Sequence, residues 1–146
     1  MSQENVDIVR RSYEAANKEG LWAVAERAHP EVELAPPPGS PELPVLRGVE
    51  RIREIARQWA VALARQEWLR EAGRTPQNWG LRVDHVIDAP RDKVVVLSHL
   101  CGPRRGTGTK VELELNRVYT VAHGEITRVE GYFTRKQTLE AAGLSE

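Results

Sequence analysis

Cysteine is almost missing from this chain: Cys101 stands alone, so no internal disulfide can form, and no Cys/His group has zinc-ligand spacing. Net charge is missing as well. Lys plus Arg and Asp plus Glu both total 21, a balance that gives no long-range attraction to nucleic acid or to an anionic lipid surface. No apolar run approaches about 18 residues, and the opening MSQENVDIVRR lacks the apolar segment of a secretory signal. Neither a membrane span nor export is expected, and a soluble cytoplasmic protein fits best. Dinucleotide glycine patterns and haem attachment sites are absent, and the basic block CGPRRGTGTK lacks phosphate-loop spacing, so no cofactor is expected. That block reads as a hairpin loop.

At 146 residues the chain suits a single domain spanning 1–146. A domain of this size buries roughly 68–70% of its unfolded surface, enough for a real core. In SQENVDIVRRSYEAANKEG, Ser2 is a candidate N-cap, and Val6, Val9, Tyr13 and Ala16 recur at helical spacing before Gly20. LWAVAERA, residues 21–28, predicts a second short helix that stops at His29–Pro30, because the residue before proline is biased out of the helical region. EVELA then predicts a strand, and PPPGSPELP, with five prolines, a rigid surface loop. Residues 48–68 carry an apolar stripe through Val49, Ile52, Ile55, Ala56, Trp59, Leu63 and Ala64, the longest predicted helix.

Four β-rich runs follow: WGLRVDHVID, DKVVVLSHLCG, KVELELNRVYTVA and EITRVEGYF. Turn signals at Ala89–Asp92, Gly102–Gly108 and His123–Gly124 make consecutive strands antiparallel. KQTLEAAG closes the pattern as a short helix with Gly143 at C′. Helices first and a meander afterwards predict an α+β fold, with helices covering one face of a curved sheet.

The stretches VRRSYEAANKEGLWAVAERAHPEVEL, LRGVERIREIARQW and ELNRVYTVAHGEITRVEGYFTRKQTLEAAGL, taken in this order, resemble SnoaL-like proteins of the nuclear transport factor two-like superfamily. That superfamily includes ketosteroid isomerases, polyketide cyclases and limonene epoxide hydrolases. The resemblance spans nearly the whole chain. It implies a cone-shaped, mostly antiparallel sheet with three helices from the N-terminal half on its concave face and a short C-terminal helix. It also implies an internal pocket for a hydrophobic small molecule, and a homodimer.

The resemblance further suggests roles residue by residue. Ketosteroid isomerases carry a tyrosine seven residues before a helix-ending glycine as an oxyanion donor, and Tyr13 stands seven before Gly20. Their second donor is an aspartate on the strand before the last hairpin; counting back from AHG gives Asn116, whose amide can also donate. Their base follows a Val-Glu pair, where this chain reads Val32-Glu33-Leu34. The acid that many SnoaL-like relatives carry past the last strand is replaced by Thr134. An epoxide-hydrolase arrangement would need Arg117 or Arg128 facing Glu114 or Glu130.

On the last strand, period-two alternation puts Thr127, Val129, Gly131 and Phe133 on one face, and Arg128, Glu130 and Tyr132 on the other. The resemblance turns the first set toward the pocket, with Trp59 from the long helix as a further wall. Gly131 either leaves room for a bulky ligand or marks a bulge. His99, inside a β-rich run, is the best general-base candidate because imidazole titrates near neutrality; a hydrogen-bonded structural histidine is its alternative. Cys101 reads as a small buried apolar group. The expected function is an isomerase, cyclase or hydrolase on a hydrophobic molecule, with Tyr13 and Asn116 polarising an oxygen and His99 moving a proton. The alternative is a binding module that has lost the family's carboxylates.

Overall fold

In a computed structural model, residues 2–19, 28–36, 45–54, 80–103 and 110–144 are described. They form α1 (Ser2–Glu19), β1 (Ala28–Ala35), β2 (Leu46–Arg47), α2 (49–54), β3 (Gly80–Ala89), β4 (Lys93–Pro103), β5 (Lys110–Ala122), β6 (Glu125–Tyr132) and α3 (Arg135–Ala141). The six strands make one curved, unclosed sheet in the order β2-β1-β6-β5-β4-β3. Only β1 and β6 run parallel; the other neighbours are antiparallel. This is the α+β cone architecture expected from the sequence.

The Val94-Val95-Val96-Leu97 run explains how the sheet is covered on both sides. Val94 and Val96 join a core cluster with Val6, Val9 and Tyr13 of α1, while Val95 and Leu97 join another with Leu139 and Ala142 near α3. A strand buried on both faces reads as a continuous apolar run, not an alternating one. We call the α1 side of the sheet its interior face and the α3 side its outer face. α1 packs across β3 and β4, and α3 touches β4, β5 and β6. No helix among the described residues is long and apolar enough to cross a membrane.

Local signals set the ends of these elements. His123 (φ 52°) and Gly124 (φ 78°) both occupy the left-handed region, the backbone of a two-residue hairpin turn. Gly143 (φ 80°) sits at C′ of α3, with Gly143 N–H donating to Glu140 O at 3.0 Å and Leu144 N–H to Leu139 O at 2.8 Å. This pair of bonds is the Schellman closure, and it satisfies carbonyls that the helix end leaves open.

Two features differ from the expected fold, and one expected helix is described only in part. Ala28, His29 and Pro30 belong to β1 and not to the end of a helix; the rest of the expected 21–28 helix lies outside the described residues. Pro30 is accommodated because the β1–β6 ladder is irregular between Ala28 and Glu33, where a missing N–H breaks no regular pairing. The expected proline loop lies outside the described residues apart from Pro36, and the two-residue strand β2 pairs Arg47 with Glu33 and Leu46 with Leu34. The predicted helix over 48–68 is described only for 49–54.

Candidate functional site

The interior face of β5 carries Leu115, Arg117, Tyr119 and Val121, and this alternation places two large polar-tipped side chains among apolar ones. Tyr119 is fully buried, and its hydroxyl donates to Tyr13 Oη of α1 at 2.7 Å. The rings meet edge to face, with centroids 5.9 Å apart. Ser98 of β4 is also buried on this face, donating to Leu115 O at 2.7 Å and adjoining the Tyr13 hydroxyl. The half-buried Arg117 guanidinium lies against both tyrosine hydroxyls.

Burial, reinforced by Tyr119, holds the Tyr13 phenol well above its ordinary range, although Arg117 pulls it down. Tyr13 is therefore a neutral O–H donor across the physiological range. Burial works against the Arg117 charge, but Tyr119 and Tyr13 outweigh it and raise the guanidinium above its usual value. A permanent cation and a neutral phenol thus share one apolar surface, a donor set suited to oxygen atoms that carry or develop negative charge.

The expected constellation is divided between the two faces. Tyr13 is interior, whereas Asn116 is on the outer face, where its amide donates to Glu114 Oε1 at 2.8 Å. The physical reason is period two: Asn116 and Arg117 are consecutive, so counting to Asn116 selects the residue beside the one that faces Tyr13. His99 also lies on the outer face and shares no surface with Tyr13, so it cannot pass a proton to a molecule held there. Val129 is buried against α1, and Gly131 lies on the same face directly across from Arg117. Phe133 is 60% exposed just beyond β6. Trp59, with Trp22, Trp68 and Trp79, and the side chain of Cys101, lie outside the described residues.

The missing carboxylates also find an explanation. Leu34 of β1 packs against the interior core, so an apolar group occupies the base position suggested by the resemblance. Glu33 turns outward and is held by Arg47 and Arg128. Thr134 is the N-cap of α3, its oxygen accepting from Gln137 N–H at 3.1 Å.

His99 and Asn116 meet elsewhere, in an outer-face groove of about 360 Å³ lined by Arg82, Asp84, His85, Leu97, Glu114 and Arg135 as well. Asp84 is the extra residue of a β-bulge between Val83 and His85, and its Oδ2 lies 2.5 Å from His99 Nδ1. Burial raises the Asp84 pKa, but hydrogen bonds from His99 and Arg82 prevail and hold it below the ordinary carboxylate range. Arg82 also reaches Glu112 at 2.5 Å and His99 Nδ1 at 3.1 Å. No group of three or more His, Cys, Asp or Glu side chains among the described residues is arranged to hold a metal.

Tyr119 and Asp84 were not singled out as site residues from the sequence, and Arg117 only for an epoxide-hydrolase arrangement. For Tyr119 and Arg117 a signal existed: they share strand parity with apolar Leu115 and Val121. For Asp84 there was none, since the bulge that redirects it leaves no mark in the residue pattern.

None of the curated proteins matches the sequence at a significant level. Several solved structures share the fold. An NTF2-like protein of unknown function from Burkholderia pseudomallei K96243 superposes with a TM-score of 0.65 at 19% identity, over 95% of this chain and 97% of its own. TerC, co-crystallized with polyporic acid, gives a TM-score of 0.65 at 21% identity, over 96% and 98%. A putative SnoaL-like polyketide cyclase from Jannaschia sp. CCS1 gives 0.62 at 18%, over 97% and 92%. Residues 9–129 match the SnoaL-like domain, and the chain belongs to that family.

Proposed function

We propose that this protein binds an apolar small molecule between α1 and the sheet and polarises one of its oxygen atoms through the Tyr13 hydroxyl, in reactions of the isomerase, cyclase or hydrolase type. The buried 2.7 Å hydroxyl pair of Tyr119 and Tyr13 carries this reading. With Tyr119 as donor, the Tyr13 hydrogen is left for an onward bond. Apolar neighbours Val9, Val96 and Val129 keep water from competing, which strengthens such a bond. The polyketide cyclase and the polyporic-acid complex among the structural relatives are consistent with an apolar oxygenated ligand.

A second reading, a binding module without turnover, is favoured by Leu34 at the position where the resemblance puts a base. Both readings predict that apolar ketones and phenols bind, measured by calorimetric titration. Tyr13→Phe should weaken the best of them by about tenfold, the value of one good buried hydrogen bond. Equal binding by the wild type and Tyr13→Phe would remove Tyr13 from the site. Catalysis is then separated from binding by turnover of the bound compound, abolished in Tyr13→Phe. A homodimer is part of the proposal, and sedimentation of the purified chain tests it.

A further inference from the structure

Arg117 distinguishes the interior face. Arg47 and Arg128 each pair with Glu33, Arg53 pairs with Glu50, and Arg82 with Asp84 and Glu112. Among the described residues no carboxylate pairs with Arg117. A guanidinium withdrawn from water without a counter-charge is costly, and breaking even requires both charge compensation and hydrogen bonds. Tyrosine oxygens can accept from only part of its five-donor fork. Its cross-strand neighbours are Val96 on one side and Gly131 on the other, so β6 places no side chain beside it on that face. Gly131 thus sets no side chain of its own next to the one uncompensated cation of the interior face among the described residues.

Leu34 adds a chemical constraint. A ketone must lose a carbon-bound proton to become an enolate, and an apolar side chain at that position takes none. An organic acid arrives with its proton already lost to water and needs no base to become an oxyanion. We infer that the interior site takes an apolar organic acid as its anion, the Arg117 fork holding the charged oxygens and the Tyr13 hydroxyl donating to one of them. Planar two-oxygen anions match the fork with parallel hydrogen bonds, which a single carbonyl oxygen cannot. The inference rests on the interior reading of the site given above, and adds the charge of its ligand.

The test compares two probes of nearly equal shape, a naphthalene carboxylate and the corresponding naphthyl methyl ketone, titrated into the full chain at neutral pH. The carboxylate should bind at least about tenfold tighter, as a charge-assisted pair predicts. Arg117→Met should erase that preference while Arg117→Lys, which keeps the charge, retains part of it. Should Arg117→Met fail to fold, the wild type decides alone, since its preference must fade when the pH is lowered enough to protonate the probe. Equal binding of acid and ketone by the wild type, or a preference surviving in folded Arg117→Met, overturns the inference and leaves the interior site standing. Binding of neither probe overturns both.

Discussion

Asp84 reaches His99 from the unpaired position of a β-bulge, its Oδ2 lying 2.5 Å from Nδ1. A regular strand would send consecutive side chains to opposite faces; the extra residue lets Arg82, Asp84 and His85 all line one groove. The carboxyl is held below its ordinary range in the folded state, so folding binds fewer protons there than the unfolded chain does. Its stabilising contribution is present above the ordinary Asp value of about 3.9 and is lost as pH falls through the lowered folded value. Urea midpoints measured across that acid range should fall less steeply in Asp84→Asn than in the wild type. Parallel curves would show that the pair contributes nothing to folding.

At the alkaline end the sign reverses. Tyr13 titrates well above its ordinary value because burial and Tyr119 disfavour the phenolate, so its contribution is complete below about pH 10 and is lost as pH rises toward the folded value. Tyr132, partly buried and donating to Glu130 Oε2 at 2.7 Å, is pushed up to about 12 and acts over the window from about pH 10 to that value. The tyrosinate absorbance of the folded protein should therefore rise later than that of the urea-unfolded chain. A titration in which Tyr13 and Tyr132 ionise at the ordinary value would contradict the burial of these two hydroxyls.

The Tyr13–Tyr119 pair is open to a double-mutant cycle. Tyr119→Phe leaves the buried Tyr13 hydroxyl short of a partner, a loss of about 1–3 kcal/mol, and Tyr13→Phe does the reverse. Removing both hydroxyls removes the mismatch, so the double variant should be less destabilised than the sum of the singles by about 1 kcal/mol. Strict additivity in denaturant unfolding would mean that the hydroxyls do not interact.

What the sequence made legible, and what it hid, follows from the range of each signal. Gly143 and the His123–Gly124 turn were readable because their backbone requirements are met within a few residues. The strands from 80 onward were readable from β-branched runs such as Val94–Val96. The face of each strand was harder. For β6 the alternation placed Val129 and Gly131 correctly on the interior side, but on β5 a position inherited by counting landed on Asn116, one residue from Arg117. A period of two makes a single-residue error a complete inversion, and it carried the expected second donor to the wrong side of the sheet. The Asp84–His99 contact joins residues 15 apart in sequence through a bulge, which no local pattern encodes.

Gly124 tests the turn without any packing change. Its φ is 78°, and a Cβ built there would meet nothing within 4 Å, so Gly124→Ala changes only backbone preference. The left-handed conformation costs a residue with a Cβ roughly 1–2 kcal/mol, offset in part by the lower entropy of the unfolded alanine chain. A net loss of about 1 kcal/mol in chemical unfolding is expected. His123→Asn, at φ 52°, should instead gain a few tenths, because asparagine tolerates this region and suits the first position of such a turn.

Thr134 stands where many relatives of this fold are expected to carry an acid, and its role here is structural. Its side chain accepts from Gln137 N–H at 3.1 Å while Gln137 Oε1 accepts from Thr134 N–H at 3.3 Å, a reciprocal capping box at the start of α3. The cap holds a seven-residue helix that brings Leu139 against Val95, Leu97 and Val118, so loosening it opens the outer core cluster. Thr134→Ala should cost about 1 kcal/mol. Thr134→Asp should cost almost nothing, because aspartate caps as well as threonine and its charge suits the positive end of the helix. If both variants unfold at the wild-type denaturant midpoint, the capping box contributes no stability and Thr134 must be retained for another reason. If Ala loses stability and Asp keeps it, an acid can be restored here without disturbing the fold, and any activity gained can be assigned to the carboxylate.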